Sequence, residues 1–95
     1  MLVFEWSAEK SRTNRKKHGV SFEEAKSTFF DEFAVQFFDS AHSMEEDRFI
    51  MLGMSRKLRI LVVVHCEREK GKVIRIISAR KATSNECEYY LGAPE

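Results

Sequence analysis

Arg75, Arg80 and Lys81 lie in one stretch, Val73-Ile74-Arg75-Ile76-Ile77-Ser78-Ala79-Arg80-Lys81-Ala82-Thr83, with no acidic residue among them to neutralise the charge. The branched aliphatics at 73, 74, 76 and 77 favour a buried β-strand, so the cations sit within that strand and where it must give way to a loop. Arginine offers a planar fork of donors matched to phosphate oxygens and lysine a point charge, which makes such a strand end suited to holding phosphate. Thr83-Ser84-Asn85-Glu86 has the T-x-x-E spacing of a capping box and predicts a helix from Ser84 that carries Glu86, Tyr89 and Tyr90. Strand, basic loop and helix are therefore expected at one corner. A single cation at a strand end is more often a solvated or ion-paired surface residue than a catalyst, and the cluster is more informative than its members.

If the phosphate is that of RNA, cleavage without a metal needs a base for the 2′-OH, cations for the charged phosphorane and an acid for the leaving 5′-oxygen. Arg75 and Arg80 are the candidates for charge stabilisation, and Lys81 for phosphate binding or acid catalysis. His18 is the titratable candidate, because histidine is the side-chain type that titrates near neutrality. A histidine in the last turn of a helix also serves as a favourable C-terminal charge, and both roles stay open. Tyr89 and Tyr90 fall on different sides of their helix and cannot both face a core, which leaves one to stack a base or meet a partner. His65 lies inside an apolar run and reads as structural; His42 lies in a loop and offers no constellation. No His, Cys or carboxylate spacing matches a dedicated metal site, and no cofactor is expected.

The elements that must position these residues follow from the apolar pattern. Val3 to Trp6 suits a short edge strand. Ser7 is a candidate N-cap for a helix over Ala8 to His18, stopped by Gly19. That helix has only Ala8 as an apolar side chain, while Lys10, Arg12, Arg15, Lys16 and Lys17 surround its axis. A helix polar on all sides needs another reason to exist, such as a partner or ligand, and Lys10, Arg12, Lys16 and Lys17 are the candidate RNA contacts together with Tyr89 and Tyr90. Ser21-Phe22-Glu23-Glu24 is a second capping box, predicting a helix from Phe22 to Phe30 that packs on the sheet through Phe22, Ala25 and Phe29. Strands are expected over 34–38, 48–54, 58–66 and 73–78, with tight connections at 55–57 and 67–72. The uninterrupted run Ile60 to Val64 belongs at a sheet centre, covered on both faces. The predicted architecture is α+β: one domain over residues 1–95, an antiparallel meander with two N-terminal helices and a C-terminal helix.

Composition agrees with a folded chain, 43% hydrophobic and 12% aromatic over 95 residues. No apolar run approaches the roughly 20 residues that cross a bilayer, and the N-terminus lacks the pattern of a signal peptide, so a cytoplasmic protein with no membrane partner is expected. Cys66 and Cys87 read as reduced thiols. The net charge of +1 conceals a division, because residues 20 to 47 hold eight acids against Lys26 alone. One part of the surface can attract a polyanion and another repel it or meet a basic partner, and charges interspersed on solvated faces fit the same counts equally well.

Two motifs carry a family resemblance. Phe4-Glu5-Trp6, Lys10, Asn14 and Lys17-His18-Gly19-Val20-Ser21-Phe22-Glu23-Glu24-Ala25 resemble the opening of the BrnT toxins, and Arg75-Ile76-Ile77-Ser78-Ala79-Arg80-Lys81-Ala82-Thr83 with Glu86 and Tyr89 or Tyr90 resembles their closing signature. The resemblance spans almost the whole chain. It implies a RelE-like fold and a ribonuclease toxin of a type II toxin–antitoxin pair that inhibits translation and growth. It further implies neutralisation by a BrnA-like antitoxin with a ribbon-helix-helix DNA-binding part, operator DNA being reached only through that antitoxin. Two other classes remain compatible with the residues alone: a non-catalytic nucleic-acid-binding module, and a protein-interaction domain that uses the polar first helix.

Overall fold

The structure is a computed structural model that describes residues 1–92. In chain order it comprises β1 (Val3–Glu5), α1 (Ala8–His18), α2 (Phe22–Ser27) running into a 3-10 turn (Thr28–Phe30), β2 (Val35–Phe38), a second 3-10 turn (Ser40–His42), β3 (Asp47–Met54), β4 (Ile60–Arg68), β5 (Val73–Lys81) and α3 (Ser84–Tyr90). The five strands form one sheet in the order β1-β5-β4-β3-β2. Strands β2 to β5 are the expected antiparallel meander. The first strand departs from that pattern: β1 adds to the free edge of β5 in parallel, Val3 opposite Val73 and Glu5 opposite Arg75, which makes the sheet mixed. Parallel neighbours need a long crossover, and here the entire chain from α1 to β4 supplies it.

Two boundaries differ from the sequence expectation for local reasons. The second helix tightens after Ser27 because Ser27 and Thr28 turn their hydroxyls back onto the carbonyls of Glu24 and Ala25, at 2.5 and 2.6 Å. The same turn presses on β3. A Cβ at Gly53 would stand 3.0 Å from the Thr28 Cβ and 3.2 Å from its carbonyl oxygen, so only glycine lets the strand approach this closely. The last strand continues past Ser78 to Lys81, because β4 runs alongside and pairs with it as far as Leu61.

One face of the sheet is covered by α1 and α2. Val20, Phe22 and Ala25 pack there on Met51, Leu61, Val63, Ile74, Ile76 and Ala79, with Phe4, Trp6, Phe29 and Ala34 closing the edges. Trp6 meets Phe22 edge-on at 6.2 Å, as Phe29 meets Phe4 at 5.1 Å. His65 is fully buried between Phe29 and Phe49, and that burial pushes its pKa down, with the Glu67 carboxylate at 3.3 Å opposing the shift; it is structural, as the apolar run implied.

The polar first helix has a specific anchor. Asn14, its one buried residue, donates to the carbonyls of Val20 at 2.9 Å and Ala79 at 2.8 Å and accepts from the Ala79 N–H at 3.2 Å. One amide thus replaces the apolar stripe by which a helix normally docks. Ser7 caps the start of the helix, and Gly19 takes the left-handed conformation at its end, φ +71°. Glu24 makes the other buried polar contact: it is fully buried and accepts from Arg59 Nε at 2.7 Å, Arg59 Nη2 at 2.5 Å and Ser55 at 2.7 Å. Those donors, the Arg59 hydrogen bonds foremost, hold its pKa below the ordinary carboxylate range against the opposing effect of burial. The second nitrogen of Arg59 also reaches the carbonyl of Gly19, 2.9 Å away, tying the α1–α2 corner to the start of β4.

Across the opposite face lies α3. Its capping box is complete, with the Thr83 hydroxyl on the Glu86 N–H and the Glu86 carboxylate on the Thr83 N–H. Glu86 also grips Arg80 through two bonds of 2.8 Å each, and these bonds are the main reason its pKa falls to about 2. At the far end of the helix Tyr90 donates a short bond to Asp31, which also takes the N–H of Met54 at 2.7 Å. Burial, and then the Asp31 carboxylate, push the Tyr90 hydroxyl up to about 12.

Two expected outcomes follow from these anchors. Asn14→Ala leaves two carbonyls and an N–H unpaired in the interior and costs about 2–4 kcal/mol in urea unfolding, against a loss below about 0.5 kcal/mol for Lys16→Ala on the solvent side. Equal losses for the two variants would mean that the amide does not hold the helix. Glu24 and Glu86 both have folded pKa values below the ordinary carboxylate value of 4.5. The unfolded chain therefore takes up protons first as pH falls, so their contribution is complete above pH 4.5 and lost progressively toward pH 2. The half-exposed Arg80–Glu86 pair accounts for about 1 kcal/mol of this after solvent screening, and Glu24 contributes in the same direction. Urea midpoints that stay level between pH 5 and pH 3 would contradict the assignment.

Candidate functional site

Successive side chains of a strand face opposite sides of the sheet, and the pairing register decides which residues share a side. Arg75 stands opposite Cys66, which on its other flank stands opposite Arg48; Arg80 stands opposite Val62, itself opposite Leu52. All of these lie on the face away from α1 and α2. Residues 75 and 80 would fall on opposite faces in a regular strand. They share one because Ile77 is an extra residue in β5, a bulge between the Val64–Ser78 and His65–Ile76 pairs.

The four residues expected to carry the chemistry are not gathered into one site. Lys81 stands opposite Leu61, a core residue, and so lies on the helix-covered side. His18, half-buried in the last turn of α1, lies one helical turn beyond Asn14, and Lys81 lies two residues beyond the Ala79 to which Asn14 is bonded. Both therefore belong to the corner where α1 ends beside β5, with the sheet between them and Arg75 and Arg80. The expectation that the basic cluster meets no acid also needs correction. Tertiary structure brings Glu46 to Arg75 at 2.5 Å, and Glu86 to Arg80. At ~3.3 Å per residue the two arginines stand about 15 Å apart along the strand, and their carboxylates pull them toward opposite ends of the open face.

Lys10, Arg12, Lys16 and Lys17 are exposed on α1, and among the described residues they form no ion pair. The two tyrosines separate as a helix requires. Tyr90 is the anchor on Asp31, whereas Tyr89 is 55% exposed and leans on Phe37 with ring centroids 5.4 Å apart, beside a groove floored by Ile50, Leu52 and Val62. Of the two tyrosines, Tyr89 is thus the one available to a ligand.

Sequence reasoning missed the company that Arg75 keeps. Arg48 shares its face one strand beyond Cys66, and the Arg48 Nε is buried with no hydrogen-bond partner among the described residues, 3.6 Å from the Asp39 carboxylate. His42 bonds to that carboxylate through Nδ1 at 2.9 Å, and it lines one groove with Glu46, Arg48, Cys66 and Arg75. A loop histidine with no visible constellation in the sequence therefore has one in the fold. The only local trace was the Asp39–His42 spacing of three, which fits a single 3-10 turn.

A family model described as ribonuclease toxin, BrnT, of type II toxin-antitoxin system matches residues 6–86. No curated protein matches the chain. Among solved structures, the Brucella abortus ribonuclease toxin BrnT superposes with a TM-score of 0.68 at 24% identity, over 88% of this chain and 100% of that one, a likeness that establishes the fold. The family match runs from Trp6 to Glu86, taking in most of both motifs, the anchored helix and the open-face arginines, and the chain belongs to the BrnT family of type II toxin–antitoxin ribonuclease toxins.

Proposed function

We propose that the chain is a metal-independent endoribonuclease that binds RNA across the open face of its sheet and cleaves it by attack of the 2′-OH, thereby arresting translation and growth. The observation that carries this reading is the bulge at Ile77, which turns Arg75 and Arg80 onto the one sheet face that α1 and α2 leave uncovered. Bulges next to reactive sites commonly re-aim a side chain in this way. Arg75, beside Arg48, supplies charge to the phosphorane, where a guanidinium acts most strongly on charge that develops during reaction. Arg80, held by Glu86 through two bonds, grips a flanking phosphate, and Tyr89 offers a stacking surface beside the groove floored by Ile50, Leu52 and Val62.

Lys81 and His18 take part from the other side of the same strand, at a second basic edge continuous with Lys10, Arg12, Lys16 and Lys17. These cations attract the RNA backbone or an acidic partner and speed encounter more than they add final affinity. Membership of a type II system implies a protein antitoxin. We take that antitoxin to be BrnA-like, with a ribbon-helix-helix part through which the complex reaches operator DNA, and we take the fold as RelE-like. No helix among the described residues is long and apolar enough to cross a membrane, which accords with action in the cytoplasm.

The test is incubation of the purified chain with RNA in EDTA, followed by analysis of the fragment ends. Fragments with 2′,3′-cyclic phosphate and 5′-hydroxyl ends are expected, with Arg75→Ala and Arg80→Ala each slowing cleavage by about 10²–10³-fold while circular dichroism stays native. Binding without cleavage would favour a non-catalytic nucleic-acid module. Fragments with 3′-hydroxyl ends, or full activity in both folded variants, would overturn the mechanism.

A further inference from the structure

The groove at the Arg75 end of the open face, with a volume of about 540 Å³, is large enough for a nucleotide and contains more than phosphate-binding charge. Glu46 reaches over its rim. One carboxylate oxygen accepts from Arg75 Nη2 at 2.5 Å and the other is ion-paired with Arg68, 3.1 Å from its Nε, so the group is held from two sides. The same groove is lined by His42, whose Nδ1 is bonded to Asp39, leaving Nε2 as the ring nitrogen to face a ligand. The loop that carries His42 is tied down. The Ser43 hydroxyl accepts from the N–H of Arg48 at 2.9 Å and donates to the carbonyl of Asp39 at 2.7 Å, and the Asp39 N–H donates to the carbonyl of Arg48 at 2.8 Å. Arg48 lines the same groove, its Nε buried 3.6 Å from the Asp39 carboxylate.

We propose that Glu46 and His42 are the general base and general acid of RNA cleavage, acting on a phosphate held between Arg48 and Arg75. This rests on the reading of the chain as a ribonuclease. Glu46 takes the proton of the 2′-OH as the 2′-oxygen bonds to phosphorus. His42, protonated, gives its proton to the 5′-oxygen as the P–O5′ bond breaks. The products are a 2′,3′-cyclic phosphate and a 5′-hydroxyl end, with Glu46 left protonated and His42 neutral, and exchange with water restores both. Asp39 is a positioning residue that sets the tautomer and direction of the imidazole, as a carboxylate behind a catalytic histidine does. Two guanidiniums flanking one phosphate meet the charge of the phosphorane from both sides.

An acid and a base are told apart by the leaving group. The wild type, His42→Ala and Glu46→Gln are each assayed on RNA and on a nucleoside 3′-(4-nitrophenyl phosphate), whose leaving group departs without a proton. On RNA both variants are expected to lose about 10²–10⁴-fold. On the nitrophenyl ester Glu46→Gln keeps its loss, whereas His42→Ala returns to within a few-fold of wild type. The ratio of the two rates within one preparation is independent of how much of the protein is folded, so a partly unfolded variant still decides the matter. Equal losses of His42→Ala on both substrates, or wild-type rates for either variant on RNA, overturn the assignment and leave the ribonuclease reading standing. A wild type that cleaves neither substrate overturns both.

Discussion

A single extra residue in β5 governs which side chains of this molecule can meet. Side-chain direction alternates along a strand, so inserting one residue exchanges the faces of everything beyond it. The bulge at Ile77 lies between Arg75 and Arg80 and brings both to the open face, while Lys81, the next residue, is sent to the helix side. Without the bulge the pairing that buries Ile74 and Ile76 would leave Ala79 out of the core and carry Arg80 into it. The apolar demand beneath the helices and the placement of charge on the open face are therefore satisfied by the same irregularity.

The helix layer depends on polar contacts to an unusual degree. Asn14 docks an otherwise hydrophilic helix by completing the backbone bonding of Ala79, two residues beyond the bulge. Glu24 and Arg59 then fix the turn between α1 and α2 to the start of β4. Buried polar groups of this kind tolerate little displacement, because a donor or acceptor left unpaired costs more than a made bond returns. Their fixity leaves the basic side chains of α1 facing outward without a role in the core, which suits them to a ligand or partner.

Much of the fold was legible in the residues. Serine and threonine caps located the helix starts at Ala8, Phe22 and Ser84, the last two with glutamate at capping-box spacing, and the run Ile60 to Val64 identified the central strand of the sheet. The parallel attachment of β1 was not legible, since three residues of strand carry no signal for which edge they join. The site was legible only in part. Arg75 and Arg80 could be picked out as cations in an apolar strand, but the bulge that aligns them leaves no mark in the sequence, and it is set by how β4 and β5 bury their side chains. Glu46 and Glu86 neutralise those arginines from 29 residues before and six residues after, distances over which charge pairing is decided by the fold. His42, Arg48 and Asp39 converge through cross-strand register for the same reason.

The account places the reacting phosphate on the open face, between Arg48 and Arg75. The most direct measurement is an NMR titration of isotope-labelled protein with a 2′-O-methyl oligonucleotide, which binds but has no free 2′-OH to attack. The guanidinium signals of Arg48, Arg75 and Arg80 and the amides of Cys66 and Ser78 should shift together along one binding curve, while those of Asn14 and Val63, under the helices, stay in place. Shifts confined to α1, His18 and Lys81, with the three arginines unmoved, would put the RNA on the other face and contradict the account.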